Sequence, residues 1–310
     1  MWLKILSTAT FLAERKRASK ENDTRSGAVA EPLQKISHTP GYLQNHRNCA
    51  IIGVYPRKTG KEFQFRKGIL MQTFPILADI HTHCVASGHG TRDTITDMAR
   101  VAADRSLRVL GISDHAPATP GAADSSYFRN LLLAERKRFG VSLLYGVELN
   151  ILNEKGDVDM EDKLIQSLDY AFISIHPPTF RAGTVESNTA AYIRAMKHPG
   201  VRFLGHPDDG RFPVDYERLL SAARENRVYP ELNNASLMPD AYRTDGRRNS
   251  MQILTLCKKM RLPVLLSSDS HGKAHIGDMQ YILPLLAECG FPRELIINCD
   301  LEMLYRMIKG

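Results

Sequence analysis

The feature that most constrains the fold is a rhythm. From Phe74 onward, short β-rich runs alternate with longer helix-patterned stretches. The runs read FPILADIHTH (74–83), RVLGISDH (108–115), VSLLYGVELNI (141–151), DYAFISIH (169–176), VRFLGHP (201–207), VYPELNN (228–234) and LPVLLSSDSH (262–271). Helices are expected over 94–104, 127–139, 188–197, 215–226, 249–260 and 278–288. Several strands are near-continuous apolar runs, as strands covered on both faces of a parallel sheet must be. Seven β-α units predict an α/β fold, either a closed barrel or a doubly wound sheet.

Each run ends on a residue able to bind metal or move a proton, or on an amide. In order these are His81 and His83, His115, Glu148, His176, His206, Asn233 and Asn234, then Asp269 and His271. Strands of a parallel α/β fold point their C-terminal ends the same way, and ligands bind there. Residues two apart share a strand face, so His81 projects with His83, and Asp269 with His271. Pro177 and Pro207 stop their strands and bias the preceding histidines toward extended geometry. Taken singly, a strand-end histidine is usually a hydrogen-bonded core residue, and Asp269 suits a helix cap. Glu148 is harder to explain that way, because a carboxylate at the edge of a buried strand is costly without a cation. Seven histidines, counting His89, with one glutamate and one aspartate at a single rim exceed what one tetrahedral ion needs, so two or three ions are expected. The chain has no G-x-S-x-G, P-loop or G-x-G-x-x-G pattern, which removes the main rival chemistries.

The net charge of +7 belongs to one end of the chain. Residues 1–70 hold 13 Lys+Arg and 5 Asp+Glu, whereas 71–310 hold 28 and 29. The first segment is therefore expected to be a basic leader, disordered or not part of the functional protein, with a functional start near Met71. A basic leader gives a route to nucleic acid, which otherwise enters only as substrate. No stretch reaches the roughly 18 apolar residues of a membrane span, so no membrane partner is expected. Five cysteines without Cys-x-x-Cys spacing point to a reducing, cytoplasmic compartment.

The strand-end set resembles the PHP (polymerase and histidinol phosphatase) family: His81-Thr-His83, Ser113-Asp114-His115, Glu148, His176, His206 and Asp269-Ser-His271. The resemblance runs from about Pro75 to Gly310. HTHCVASGHG, GVELNI and ELNNAS look most like the YcdX-like phosphatase branch, where His89 matches a third early ligand. This resemblance implies a distorted (β/α)7 barrel holding three ions, Zn2+ or else Mn2+ or Fe2+. His81, His83, Glu148 and Asp269 would hold the first. Glu148 would bridge to a second held by His176 and His206, and His89, His115 and His271 would hold the third.

The expected activity is metal-dependent hydrolysis of a small phosphate ester. Asp114 and His271 are candidates for the proton step, and Arg92, Arg181 and Lys273 for gripping phosphate. Two alternatives stand beside it: a binuclear amidohydrolase cutting a C–N bond, and a non-catalytic metal-stabilised scaffold. The first is disfavoured because no lysine ends a strand, the second because every ligand is intact. APATPGAADSSYF and PPTFRAGTVESN carry no readable code for the substrate.

Overall fold

A computed structural model of the protein describes residues 75–310. The predicted leader, Met71 and the head of the first predicted strand at Phe74 lie outside the described residues. Within them, ten strands form: β1 Ala78–Asp79, β2 Thr82–His83, β3 Val109–Ile112, β4 Lys137–Arg138, β5 Val141–Asn150, β6 Tyr170–Ser174, β7 Val201–Leu204, β8 Tyr229–Asn233, β9 Leu265–Ser267 and β10 Ser270–His271. Hydrogen bonding runs in the order β1-β3-β5-β6-β7-β8-β9, all parallel, with β10 parallel to β2. The first and last predicted strands are each broken in two, and the barrel closes at its rim by pairing Thr82 with Ser270 and His83 with His271.

Below the rim, side chains span the seam between β1 and β9. Asp79 accepts from Ser268 Oγ at 2.5 Å and from the Ser268 N–H at 3.3 Å. Asn298 accepts from Leu266 N–H at 2.7 Å and donates to Ala78 O at 2.8 Å and Leu266 O at 2.7 Å. One amide thus replaces the missing ladder bonds. Asn298→Ala is expected to leave three buried backbone groups unpaired and cost about 3 kcal/mol. Urea unfolding would show this as a lower midpoint at unchanged slope, and an unchanged midpoint would rule it out.

Inward and outward residues alternate as a strand period requires. Tyr170, Phe172, Phe203, Ile80 and Leu265 form one cluster with Met303, Leu304 and Ile308 of a C-terminal helix, Leu301–Lys309. Ala171, Ile173, Val147 and Leu149 belong instead to the larger cluster against the surrounding helices. Gly146 makes room inside, since a Cβ there would stand 2.5 Å from the Tyr170 ring.

The helices are α1 Ile95–Asp104, α2 Ser125–Leu131, α3 Asp162–Ser167, α4 Val185–Ala195, α5 Tyr216–Asn226, α6 Gly246–Met260, α7 Ile282–Cys289 and α8 Leu301–Lys309. The α1 start carries a capping box between Thr94 and Asp97. The helix expected over 127–139 is corrected: α2 ends at Leu131, and Lys137–Arg138 turn back to pair antiparallel with β5. Phe139 and Gly140, both at positive φ, make that turn. Neither α3 nor α8 was expected from the sequence. Among the described residues no helix is long and apolar enough to cross a membrane.

Candidate metal centre

Glu148, fully buried on β5, is the hub. Its Oε2 lies 2.7 Å from His115 Nδ1, 3.4 Å from His81 Nε2 and 3.6 Å from His83 Nε2. Its Oε1 lies 2.9 Å from His206 Nε2 and 3.3 Å from His176 Nε2, and accepts from Ser174 Oγ at 2.7 Å. Asp269 Oδ1 stands 3.2 Å from His83 Nε2 and 3.8 Å from His81 Nε2. Burial alone would push the Glu148 carboxyl up, but His115, His176 and His81 hold it well below its usual range. Burial, helped by His271 and His115, drives His83 well below the ordinary histidine value, which favours the neutral, ligating form. His81 goes the other way: burial opposes its charge, but Glu231, Glu148 and Asp269 hold it well above.

Three sets of donor atoms lie within 4.8 Å of one another: His81, His83 and Glu148; His83, His115 and His271; His115, Glu148 and His176. His81 Nε2, His83 Nε2, His115 Nδ1, His206 Nδ1, His271 Nε2 and Glu148 Oε2 are all buried without a hydrogen-bond partner. A protein does not leave so many buried donors and acceptors bare in one place unless something binds there. Imidazole mixed with carboxylate suits a divalent transition ion, so the cluster fits a metal.

The loop after β2 supplies the next ring. Val85–Ser87 form a 3-10 turn closed by Gly88 in the left-handed region, where a Cβ would strike the Gly121 backbone at 2.0 Å. His89 follows, exposed, its ring centroid 4.9 Å from those of both His115 and His271, and its Nδ1 3.1 Å from Ser87 O. It belongs to none of the three close donor sets.

Outer contacts fix the rings. His83 Nδ1 lies 2.9 Å from Ser87 Oγ, which donates to Asp114 Oδ1 at 2.7 Å. Asp114 also accepts from Cys84 N–H at 2.7 Å, Cys84 Sγ at 3.0 Å and Tyr127 OH at 2.6 Å, so both its oxygens are engaged. His176 Nδ1 lies 2.8 Å from Asn150 Oδ1. His206 departs from the extended geometry expected before Pro207. It stands at φ +30°, held by its N–H donating to Glu231 Oε2 at 2.5 Å. Asp269, at φ +53°, is the second ligand candidate in this uncommon region, where strain persists only when the surroundings hold it.

Two residues were missed. Glu231 pairs with His81 Nδ1 at 2.5 Å and accepts from Asn233 Nδ2 at 3.1 Å. Its signal was present, because it shares a strand face with Asn233 two residues on. Arg243 donates to Asp269 Oδ2 at 2.8 Å from a loop with no period to announce it. Arg92 and Arg181 are exposed, and Lys273 is tied to Asp93 at 3.0 Å. His198, outside the cluster, contacts Asp162 at 2.6 Å.

No family model matches the chain. A protein named a probable phosphatase from Clostridium novyi is 37% identical over 232 residues, which cover 75% of this chain and 94% of that protein. A probable phosphatase from Clostridium acetobutylicum is 36% identical over 234 residues, 76% of this chain and 95% of the relative. The solved histidinol phosphate phosphatase of Lactococcus lactis shares 16% identity and a TM-score of 0.49 over 70% of this chain and 95% of its own, a likeness too slight to argue from. The cluster on the barrel rim and the extent of the bacterial matches agree: the chain belongs to the family of these phosphatases and is a phosphoric ester hydrolase.

Proposed function

We propose that the chain hydrolyses a small phosphate monoester at a trinuclear zinc centre, as a member of the YcdX-like branch, in the cytoplasm. The observation that carries this reading is the overlap of the three donor sets through His83, His115 and Glu148. Overlapping sets bring neighbouring ion sites together, and Glu148, with two carboxylate oxygens, is the ligand that two ions could share. His81, His83, Glu148 and Asp269 would hold one ion, Glu148 with His176 and His206 a second, and His89, His115 and His271 a third. Such ions, when bound, lower the pKa of a coordinated water from about 15.7 to about 7 and offset the charge on phosphate oxygens.

The remaining work falls to the chain. Asp114, with both oxygens engaged, acts through Ser87 on the orientation of His83. His271, its Nδ1 beside Asp269 O and its Nε2 buried and unpaired, serves as a ligand rather than as the proton donor to the leaving oxygen. Of the three expected phosphate grips, Arg92 and Arg181 are exposed on loops that follow β2 and β6, whereas Lys273 must first leave Asp93. Residues 71–310 carry the activity and the leader does not.

The test uses the full chain and residues 71–310 side by side. Metal is counted by elemental analysis, and p-nitrophenyl phosphate is compared with its bis-ester. Both proteins should hydrolyse the monoester preferentially, lose that activity to a chelator and regain it with Zn2+ or Mn2+. Fully metal-loaded protein that cuts neither ester would overturn the reading, and activity confined to the full chain would overturn the dispensable leader.

A further inference from the structure

Arg243 sits beneath the rim on the loop between β8 and α6, only 7% exposed. Its Nη2 donates to Asp269 Oδ2 at 2.8 Å, and its Nη1 to Asn233 Oδ1 and Ser236 Oγ, both at 3.2 Å. Asn233 Nδ2 donates to the same Asp269 Oδ2 at 3.1 Å. Two donors therefore occupy one oxygen of this carboxylate, while the other faces His83 and His81.

A buried guanidinium beside a cation site needs a reason. It repels the ion, and its own burial is costly unless a carboxylate compensates. Anchoring the loop is not reason enough, because that loop is already tied at Thr244 O, which accepts from Gly210 N–H at 2.8 Å, and at Ser236 Oγ, which donates to Asp208 Oδ1 at 3.1 Å. Asp269 does need holding. Its backbone is in the left-handed region and its side chain would otherwise be free to turn either oxygen toward the centre.

We propose that Arg243 is a positioning residue of the metal centre: with Asn233 it holds Asp269 Oδ2 and leaves Oδ1 as the ligating oxygen. The planar fork suits this role and an ammonium does not, because acceptors on three different residues must be met at fixed angles. Asn233 also bonds Glu231 Oε2, so the same network reaches His81 through its Nδ1. The inference rests on the reading of Asp269 as a metal ligand.

The test is zinc affinity of the full-length chain, stripped and then titrated with Zn2+ against a chromophoric chelator. Arg243→Lys and Arg243→Gln should each weaken at least one zinc per chain by about 10- to 100-fold, as loss of a partner behind a ligand does. In an Asp269→Asn background the same changes should weaken zinc by no more than about 3-fold, because neighbours acting as a unit do not add. Parent-like affinity in Arg243→Lys, or full additivity with Asp269→Asn, would overturn the assignment. Loss of the metal-free fold in both Arg243 variants, read by circular dichroism, would make the residue a structural clamp and overturn it too. Affinity is read without substrate, so inactivity toward phosphate esters would leave this result standing.

Discussion

Glu148→Gln is expected to lower turnover by about 10³-fold, the upper end for removal of one preorganised charged or polar group, and to cost at least one ion per chain. Five imidazoles surround this single carboxylate, the nearest at 2.7 and 2.9 Å. Glutamine keeps the shape, removes the charge and presents N–H donors where lone pairs are needed. Each histidine change removes one ligand, whereas this change removes the negative charge that all five share. It should therefore do more damage than any single-histidine substitution. The measurement pairs kcat on p-nitrophenyl phosphate with elemental analysis. Full metal content with near-normal turnover would end the bridging assignment.

His89→Ala should fall mainly on turnover as well, by about 10²-fold, with loss of one ion and retention of the two nearest Glu148. The ring stands against His115 and His271, and its Nδ1 lies beside Ser87 O, leaving Nε2 as the nitrogen available to a ligand. Because His89 is exposed and the cluster behind it is buried, the fold should be unaffected and the thermal midpoint of the metal-free protein unchanged. A variant that retains every ion would return His89 to the status of a surface histidine.

Much of the barrel was legible because burial on both faces writes itself as apolar runs, and because each run ended on a group too costly to bury alone. That logic located Glu148 and its imidazoles. It stopped at residues whose reason lies in a neighbour. Arg243 is in a loop, where no period exists. Glu231 was hidden two residues inside the amides that drew attention. The helix expected over 127–139 was misjudged for a different reason: LLLAERKR has helical propensity, but pairing with the long β5 strand outweighs it. The final helix did carry a signal, with Asp300 capping the Glu302 and Met303 N–H groups ahead of an amphipathic run.

The double closure of the barrel bears on how the protein comes to be folded. Asp79 meets Ser268 across 189 positions of sequence, and Ala78 meets Asn298 across 220. Contacts of such separation form late, since the loop-closure entropy must be met before they contribute. His81 and His83 come from the first strand, Asp269 and His271 from the last. A full set of ligands therefore exists only once the two ends of the barrel have met. Uptake of the ions is then a timer for the final act of assembly, and refolding followed by metal binding should lag behind refolding followed by helix content.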